Sequence, residues 1–404
     1  MTAAPKPATP LVAFGALWFC YFAVVGAFNP YAPLWFKELG FSTLAIGAIA
    51  SMQAWTRVIA PYAWGWLGDR HGQRMRWVQL GCGVAVLAAM GLLWARDYAL
   101  VALCVVVLFL ANGGVIPLTE AALARHLHTD DGMDNARYGR VRMWGSIGFI
   151  VAVLVYGWAL QAAGIEWFPG LVVLMYVLML VAALRVPTPI EPRSGQQDAP
   201  PVWTVLRRPE VAWFFAAMFF TVLAHTALYA FLSLYLDALG YSKTMLGVLW
   251  AVSVLLEIVF FWAQGRFFGR MQPHRWLQWA AGVSVVRFAV TAAYAASPIV
   301  LVLAQSLHAI TFAGQHAACI VLINRYFPGP LRGRGQALYA TLGYGVSGVI
   351  GGLGGGWLSS HFGFAAVFWA AAGAAAVGLI CAMAAQRQAQ AARTEPQVSG
   401  LSGR

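Results

Sequence analysis

Charged residues are scarce in this sequence, and acidic residues are the scarcest of them. Asp, Glu, Lys and Arg make up 10% of the 404 residues, against 61% hydrophobic residues. A soluble domain of this composition would expose far more apolar surface than water tolerates. The scarcity of charge therefore argues against a soluble enzyme and predicts a protein that lies in lipid.

Cysteine is also rare, and all five cysteines fall within apolar runs: Cys20, Cys82, Cys104, Cys319 and Cys381. No pair has the spacing of metal ligands, so neither a disulfide framework nor a metal site is predicted. The apolar runs also lack any grouping of a nucleophile with a base, which disfavours an enzyme. We expect no cofactor beyond a proton gradient.

Long apolar runs dominate what is present. They cover residues 11–36, 44–66, 76–95, 98–122, 140–163, 167–186, 210–236, 245–266, 276–296, 299–323, 334–358 and 363–385. Each is near the roughly 20 residues that a spanning helix needs, and too long for a barrel strand. The fold class predicted is an all-α integral membrane protein with twelve transmembrane helices.

The chain repeats itself at an offset of 200 residues. Segments 31–47 and 231–247 match at these pairs: Leu34/Leu234, Leu39/Leu239, Gly40/Gly240, Ser42/Ser242 and Gly47/Gly247. We therefore predict two pseudo-symmetric six-helix bundles, 11–186 and 210–385, with the substrate site between them. Residues 1–10 form a tail, 187–209 a linker and 386–404 a disordered tail.

Basic residues indicate the orientation. The formal net charge is +12, yet the basic residues lie in turns on one side rather than in a polar patch that would bind nucleic acid. The turns expected outside hold only Lys37, Arg96 and Lys243. The positive-inside rule then predicts cytoplasmic termini in a bacterial inner membrane. We expect a monomer in lipid, with a small solute and protons as partners.

Ionisable residues within the spans are candidates for function, because each costs at least about 2.5–3.5 kcal/mol to insert. They are Arg57, Glu120, Arg142, Glu257 and Arg287, joined by His225, His308 and His316. The repeat pairs Arg57 with Glu257, each about 12 Å from the inner surface by helical rise. Burial favours a neutral carboxyl group, so Glu257 is the candidate proton carrier or substrate contact, with a structural ion pair as the alternative. Arg57 serves only as an anchor or counter-charge.

Glu120 and Arg142 either pair across the fourth and fifth spans or snorkel to the interface. For His225 and His316 we expect hydrogen bonds between helices. Three arginines against two glutamates favour an anionic substrate. Gly348, Gly352 and Gly356 predict close helix packing, a sliding surface, or both. The Asn29-Pro30 pair predicts a break in the first helix.

The loop GWLGDRHGQR, residues 65–74, resembles the signature loop of the major facilitator superfamily. The resemblance implies that Asp69, with Gly65, Arg70 and Arg74, holds an inner gate. The second copy has Gly269 in place of Asp69.

Residues 239–261 resemble the phenylpropionate permease family, which implies an aromatic carboxylate as the substrate. Residues 138–149, SVVR ending at Arg287 and SLH ending at His308 resemble lactose permease. That resemblance implies substrate contacts at Glu120, Arg142, Arg287 and His308, to which we add Arg57. The proton-carrying glutamate of lactose permease is Thr311 here, so we expect Glu257 to carry the proton.

Together these features predict a proton symporter that imports a small organic solute by alternating access. The alternatives are a sugar or nucleoside symporter, a drug or metabolite exporter, and, more remotely, a transport-inactive sensor.

Overall fold

The computed structural model describes residues 9–129, 132–188 and 202–394, and within them twelve helical spans follow one another. They are α1 (Thr9–Glu38), α2 (Thr43–His71), α3 (Arg74–Gly91), α4 (Tyr98–Asn112 and Val115–His126), α5 (Asn135–Ala163), α6 (Phe168–Leu184), α7 (Pro209–Ala238), α8 (Lys243–Phe267), α9 (Pro273–Tyr294), α10 (Pro298–Ser306, Ala309–Gly314 and Gln315–Tyr326), α11 (Arg332–Leu338, Tyr339–Val346 and Ser347–Phe362) and α12 (Phe364–Thr394). Short 3₁₀ turns, Ile165–Trp167, Phe268–Arg270 and Gly329–Leu331, and a four-residue helix, Trp203–Leu206, lie between spans.

The predicted all-α membrane fold is confirmed. Among the described residues, eight of these spans are long and apolar enough to cross a membrane by composition alone. The other four are α2, α3, α9 and α11, of which α2 and α9 carry the mid-span arginines Arg57 and Arg287. Outside the helices, His128–Thr129 pairs antiparallel with Gly132–Met133 between α4 and α5.

The sequence repeat reappears in the backbone. Gly40 and Gly240, which lie just after the ends of α1 and α7, both have φ of 83°. A left-handed residue at this point lets the chain turn sharply after the helix. Two residues later, Ser42 and Ser242 cap α2 and α8, accepting hydrogen bonds from the N–H groups three residues on at 3.2 and 3.1 Å.

The two halves meet through glycine-lined helix faces. Helix α2 packs on α11 and α5 packs on α8, while the other large contacts lie within each half, such as α1 on α5 and α7 on α12. A Cβ at Gly348 would lie only 2.6 Å from that of Ala54, and Gly47 lies directly against Gly352. Close packing therefore accounts for Gly348, Gly352 and Gly356 of α11.

Two local expectations are wrong. Helix α1 runs unbroken through Pro30, and the Asn29 side chain accepts a hydrogen bond from Gln53 at 3.0 Å instead of marking a break. Packing on neighbouring helices keeps a proline-containing helix intact in a membrane protein. Helix α12 continues to Thr394 rather than ending at 385, because this alanine-rich segment has high helix propensity. Residues 1–8, 189–201 and 395–404 of the predicted tails and linker lie outside the described residues, while the end of the predicted linker forms the short helix Trp203–Leu206.

The sequence pattern also did not predict the π-helical turns of α10 (Ala309–Gly314) and α11 (Tyr339–Val346). Such wider turns are frequent at functional sites in helical proteins. Both lie in the C-terminal half, next to the polar side chains described below.

Candidate functional site

A buried arginine organises the C-terminal half. Arg287 on α9 is 1% exposed. Its guanidinium group donates hydrogen bonds to His308 Nδ1 at 2.7 Å, Thr311 Oγ1 at 2.9 Å and Gln305 Oε1 at 2.9 Å, all on α10. All three acceptors are neutral, and among the described residues no carboxylate forms an ion pair with Arg287.

Glu257 joins this cluster through a histidine. His308 Nε2 lies 2.9 Å from Glu257 Oε1. The Nδ1 atom of His308 must accept from the arginine, so its Nε2 carries the hydrogen and donates to Glu257. His308 thus holds the carboxyl group by one oxygen and leaves Glu257 Oε2 to take up a proton.

Further polar side chains complete the cluster. His225 Nδ1 donates to the Thr221 carbonyl at 2.8 Å, which leaves its Nε2 to accept from Thr311 Oγ1 at 3.2 Å. Ser253 donates to Gln305 Oε1 at 2.8 Å. His225 therefore forms the predicted hydrogen bond between helices.

Glu257 is the most exposed member of the cluster. Its side chain is 15% exposed, against 3% for His308. A partly exposed carboxyl group beside a fully buried arginine can exchange protons with water while staying coupled to the buried charge. The structure thus brings together three of the predicted site residues, Glu257, Arg287 and His308.

Arg142 in the N-terminal half binds to aromatic rings rather than to a carboxylate. Its guanidinium carbon lies 5.0 Å from the ring centre of Trp18 and 5.2 Å from that of Phe22. Glu120 instead accepts a 3.4 Å hydrogen bond from Tyr138. No ion pair within 4.0 Å joins Glu120 to Arg142 among the residues that the structure describes, although the two side chains are near enough for their charges to interact.

Arg57 on α2 faces the space between the two halves. Its side chain is exposed although it lies at mid-span, so it faces water rather than lipid. The phenols of Tyr229 and Tyr344 in the C-terminal half are near enough to interact with its charge. Tyr21 interacts in the same way with Arg57, Arg142 and Glu120. The charged groups of both halves thus lie near one another around the space between the halves, which we call the cavity.

The halves are joined by hydrogen bonds on the side opposite the chain ends. Lys37 forms a 2.8 Å ion pair with Asp237, its own counterpart in the repeat. Ser51 donates to the Val349 carbonyl at 2.9 Å, and the Lys243 amide donates to Gln161 at 2.9 Å. These contacts hold the two halves together on that side, while the Arg57 and Arg142 side chains are exposed.

The loop between α2 and α3 holds the predicted gating residues. Asp69 forms a 2.6 Å ion pair with the mostly buried Arg74. Arg70 instead lies over the ring of Trp66 at 5.1 Å, and nothing stands within 4 Å of where a side chain at Gly65 would begin. The structure therefore joins two of the four predicted residues, Asp69 and Arg74.

Sequence reasoning missed the aromatic partners of the charges. Trp18 and Phe22 lie one helical turn apart, a spacing that is equally typical of a packed core. His316 does form an interhelical hydrogen bond as predicted, to Tyr339 at 3.0 Å. Tyr339 and Tyr344 carried no signal in the sequence, because their position depends on the π-helical turn of α11.

Comparison with known proteins now identifies the family. The model of the MFS_1 like family matches residues 11–370. The probable 3-phenylpropionic acid transporter of Escherichia coli strain K12 is 30% identical, over 87% of this chain and 92% of that protein. The maltose permease of Geobacillus stearothermophilus is 26% identical, over 88% and 89%.

Solved structures agree on the fold. The nucleoside transporter NupG has a TM-score of 0.77 at 17% identity, with 93% of this chain and 99% of that chain covered. A peptide transporter POT has a TM-score of 0.78 at 16% identity, with 94% and 95% covered. The chain belongs to the MFS_1 like family, and it is a membrane transporter of the major facilitator kind rather than an enzyme.

Proposed function

We propose that this transporter of the MFS_1 like family imports a small aromatic carboxylate together with protons. One observation supports the proposal above all: the exposed Arg57 and Arg142 border the same cavity as the Glu257–His308–Arg287 cluster. The cavity therefore combines fixed cations with a carboxyl group, that of Glu257, which takes up a proton in our proposal.

Electrostatics couple the two ligands. When Glu257 is ionised, its charge balances Arg287 and repels a carboxylate in the cavity. When Glu257 Oε2 takes up a proton, the cluster gains one positive charge and attracts that carboxylate. Proton and anion then favour each other's binding, and this coupling is reciprocal by thermodynamic necessity.

Arg142 is the proposed anchor for the carboxylate. Its flat face lies against Trp18 and Phe22, so its edges remain for a planar carboxylate. Arg57 adds attraction from α2. The substrate ring would pack on aromatic surfaces of the cavity such as Phe312, which stacks on His308 with ring centres 5.1 Å apart. The 30% identical phenylpropionic acid transporter supports an aromatic acid as the substrate.

The transport cycle follows from the side that is closed. We place both chain ends in the cytoplasm of a bacterial inner membrane, so the structure corresponds to a state open to the inside. Outward opening would separate α2 from α11 and α5 from α8. Asp69 and Arg74, with Gly65 and Arg70, would then hold the inner side closed. We take the monomer as the working unit.

Transport in liposomes tests the proposal. The purified protein is reconstituted with a pH-sensitive dye inside, and 3-phenylpropionate is supplied outside at matched pH. Internal acidification that requires both solute and protein is expected. Exchange of labelled solute across the same vesicles shows that the protein is folded. Robust exchange without acidification would overturn proton coupling.

A sugar symporter is the second candidate, because the maltose permease is 26% identical over most of both chains. The same vesicles therefore receive maltose and a nucleoside in parallel. Acidification with maltose and not with phenylpropionate would replace the aromatic acid by a sugar. Absence of acidification with every solute would contradict import with protons.

A further inference from the structure

A row of three hydrogen-bonded side chains lines the C-terminal wall of the cavity, separate from the Glu257 cluster. His316 Nδ1 lies 3.0 Å from the Tyr339 hydroxyl, which lies 3.2 Å from the hydroxyl of Tyr344. Both tyrosines belong to the π-helical turn of α11, and His316 follows the π-helical turn of α10. We call these three residues the hydroxyl row.

The hydroxyl row lies near charges of both halves. The phenol of Tyr344 interacts with both Arg57 and Glu257, and the imidazole of His316 interacts with Arg142. Tyr344 and His316 are partly exposed. A ligand held by the two arginines would therefore have its other end close to this row.

The direction of hydrogen bonding along the row is reversible. A phenol both donates and accepts, and a neutral imidazole carries its hydrogen on either nitrogen. If His316 Nδ1 accepts, Tyr339 donates to it and Tyr344 donates to Tyr339, which leaves Tyr344 as an acceptor. If His316 Nδ1 donates, the order reverses and Tyr344 has a hydrogen to give.

Such a row matches a ligand hydroxyl, which also donates and accepts, better than it matches a carboxylate, which only accepts. A flat ring lies beside it, since Phe312 stacks on His316 with ring centres 6.3 Å apart. Resting on the proposed function, we propose that the hydroxyl row is a subsite for a ring hydroxyl. The preferred substrates are then aromatic carboxylates that carry a phenolic hydroxyl group.

Comparing acids with and without a ring hydroxyl, in the unmodified protein and in Tyr344→Phe, tests this subsite. The assay follows the exchange of labelled 3-phenylpropionate in liposomes. It measures how strongly unlabelled 3-phenylpropionate and its 3-hydroxyphenyl and 4-hydroxyphenyl analogues inhibit that exchange. We expect one hydroxylated analogue to bind the unmodified protein about 3- to 10-fold more tightly, as one net hydrogen bond allows. In Tyr344→Phe this preference disappears, while the affinity for 3-phenylpropionate itself stays unchanged.

Tyr229→Phe is the matched control, because this phenol borders the same cavity but lies outside the row. It should keep the preference. Equal affinities in the unmodified protein, or a preference that survives Tyr344→Phe and Tyr339→Phe, would overturn the subsite and leave the proposed function intact. Failure of all three acids to inhibit or exchange would instead overturn the aromatic acid as the substrate.

Discussion

The two halves share one fold but carry different chemistry. At the constant offset of 200 residues, the buried cluster residues Arg287, His308 and Thr311 correspond to Leu87, Leu108 and Ala111. The C-terminal half therefore has a polar network where the N-terminal half has apolar side chains, of which Leu108 and Ala111 are buried and Leu87 is exposed. Glu257 itself corresponds to Arg57, so the two equivalent positions carry opposite charges.

The difference also runs the other way. Glu120, Arg142 and Tyr138 of the N-terminal half correspond to Ile320, Leu342 and Leu338. What the halves retain in common is mechanical, such as the capping serines and the left-handed glycines at the ends of α1 and α7. In the proposed mechanism the repeat supplies the moving framework, and the divergence between the halves would give proton binding to one half and anion binding to the other.

Replacing Arg287 by the leucine of its counterpart should have the largest effect. Arg287→Leu leaves His308, Thr311 and Gln305 without their buried donor and Glu257 without its counter-charge. We expect a loss of about 3–5 kcal/mol of stability, enough to abolish folded protein. Thermal unfolding of the purified protein in detergent measures this. Arg142→Leu is the control, because Arg142 is exposed to the cavity, and an equal loss there would contradict the distinction between the halves.

Arg142→Leu should instead weaken substrate binding. A charge-assisted hydrogen bond to a carboxylate contributes about 1.5–3 kcal/mol, so we expect a KM about 10- to 100-fold higher for 3-phenylpropionate. The uncharged amide of the same acid makes no such ion pair and should inhibit uptake equally well in both proteins. Uptake kinetics give both numbers. Loss of amide inhibition as well would indicate a damaged pocket rather than a lost anion contact.

Gly352→Ala should disturb the closed side of the cavity. Its new methyl group would meet Gly47 and Ser51 of α2, so α2 and α11 must move apart and the outward-open state gains population. In a background without the five native cysteines, alkylation of the cysteine introduced by Ser51→Cys should become several-fold faster. Gly354→Ala on the same helix has nothing within 4 Å of its new atom and should leave the rate unchanged. Equal acceleration in both variants would contradict the packing account.

Lys37→Ala should have the smallest effect. The Lys37–Asp237 pair is solvent-exposed, and such pairs contribute about 0–1 kcal/mol. We expect the unfolding temperature to change little, and any change to vanish at high salt. The exchanged pair, Lys37→Asp with Asp237→Lys, should restore the original value. A large loss that persists in high salt would show that this contact stabilises the closed side more strongly than its exposure suggests.

The sequence predicted the features that depend on local pattern or on the repeat. Apolar run lengths predicted the twelve spans, and the cost of buried charge directed attention to Glu257, Arg287 and His308 before their contacts were known. The partner of Arg142 was not predictable, because a guanidinium group finds either a carboxylate or an aromatic face and only the packing of α1 on α5 decides. The π-helical turns, and with them the hydroxyl row, depend on contacts between distant helices that no local pattern records.

Proton-driven accumulation and solute exchange, measured side by side in liposomes for Glu257→Gln and Arg57→Gln, test the division of labour most directly. The account predicts that Glu257→Gln exchanges labelled 3-phenylpropionate but no longer accumulates it against a gradient. Arg57→Gln should bind more weakly yet still accumulate the solute at saturating concentration. Accumulation that survives in Glu257→Gln, or is lost only in Arg57→Gln, would contradict the assignment of the proton to the C-terminal half.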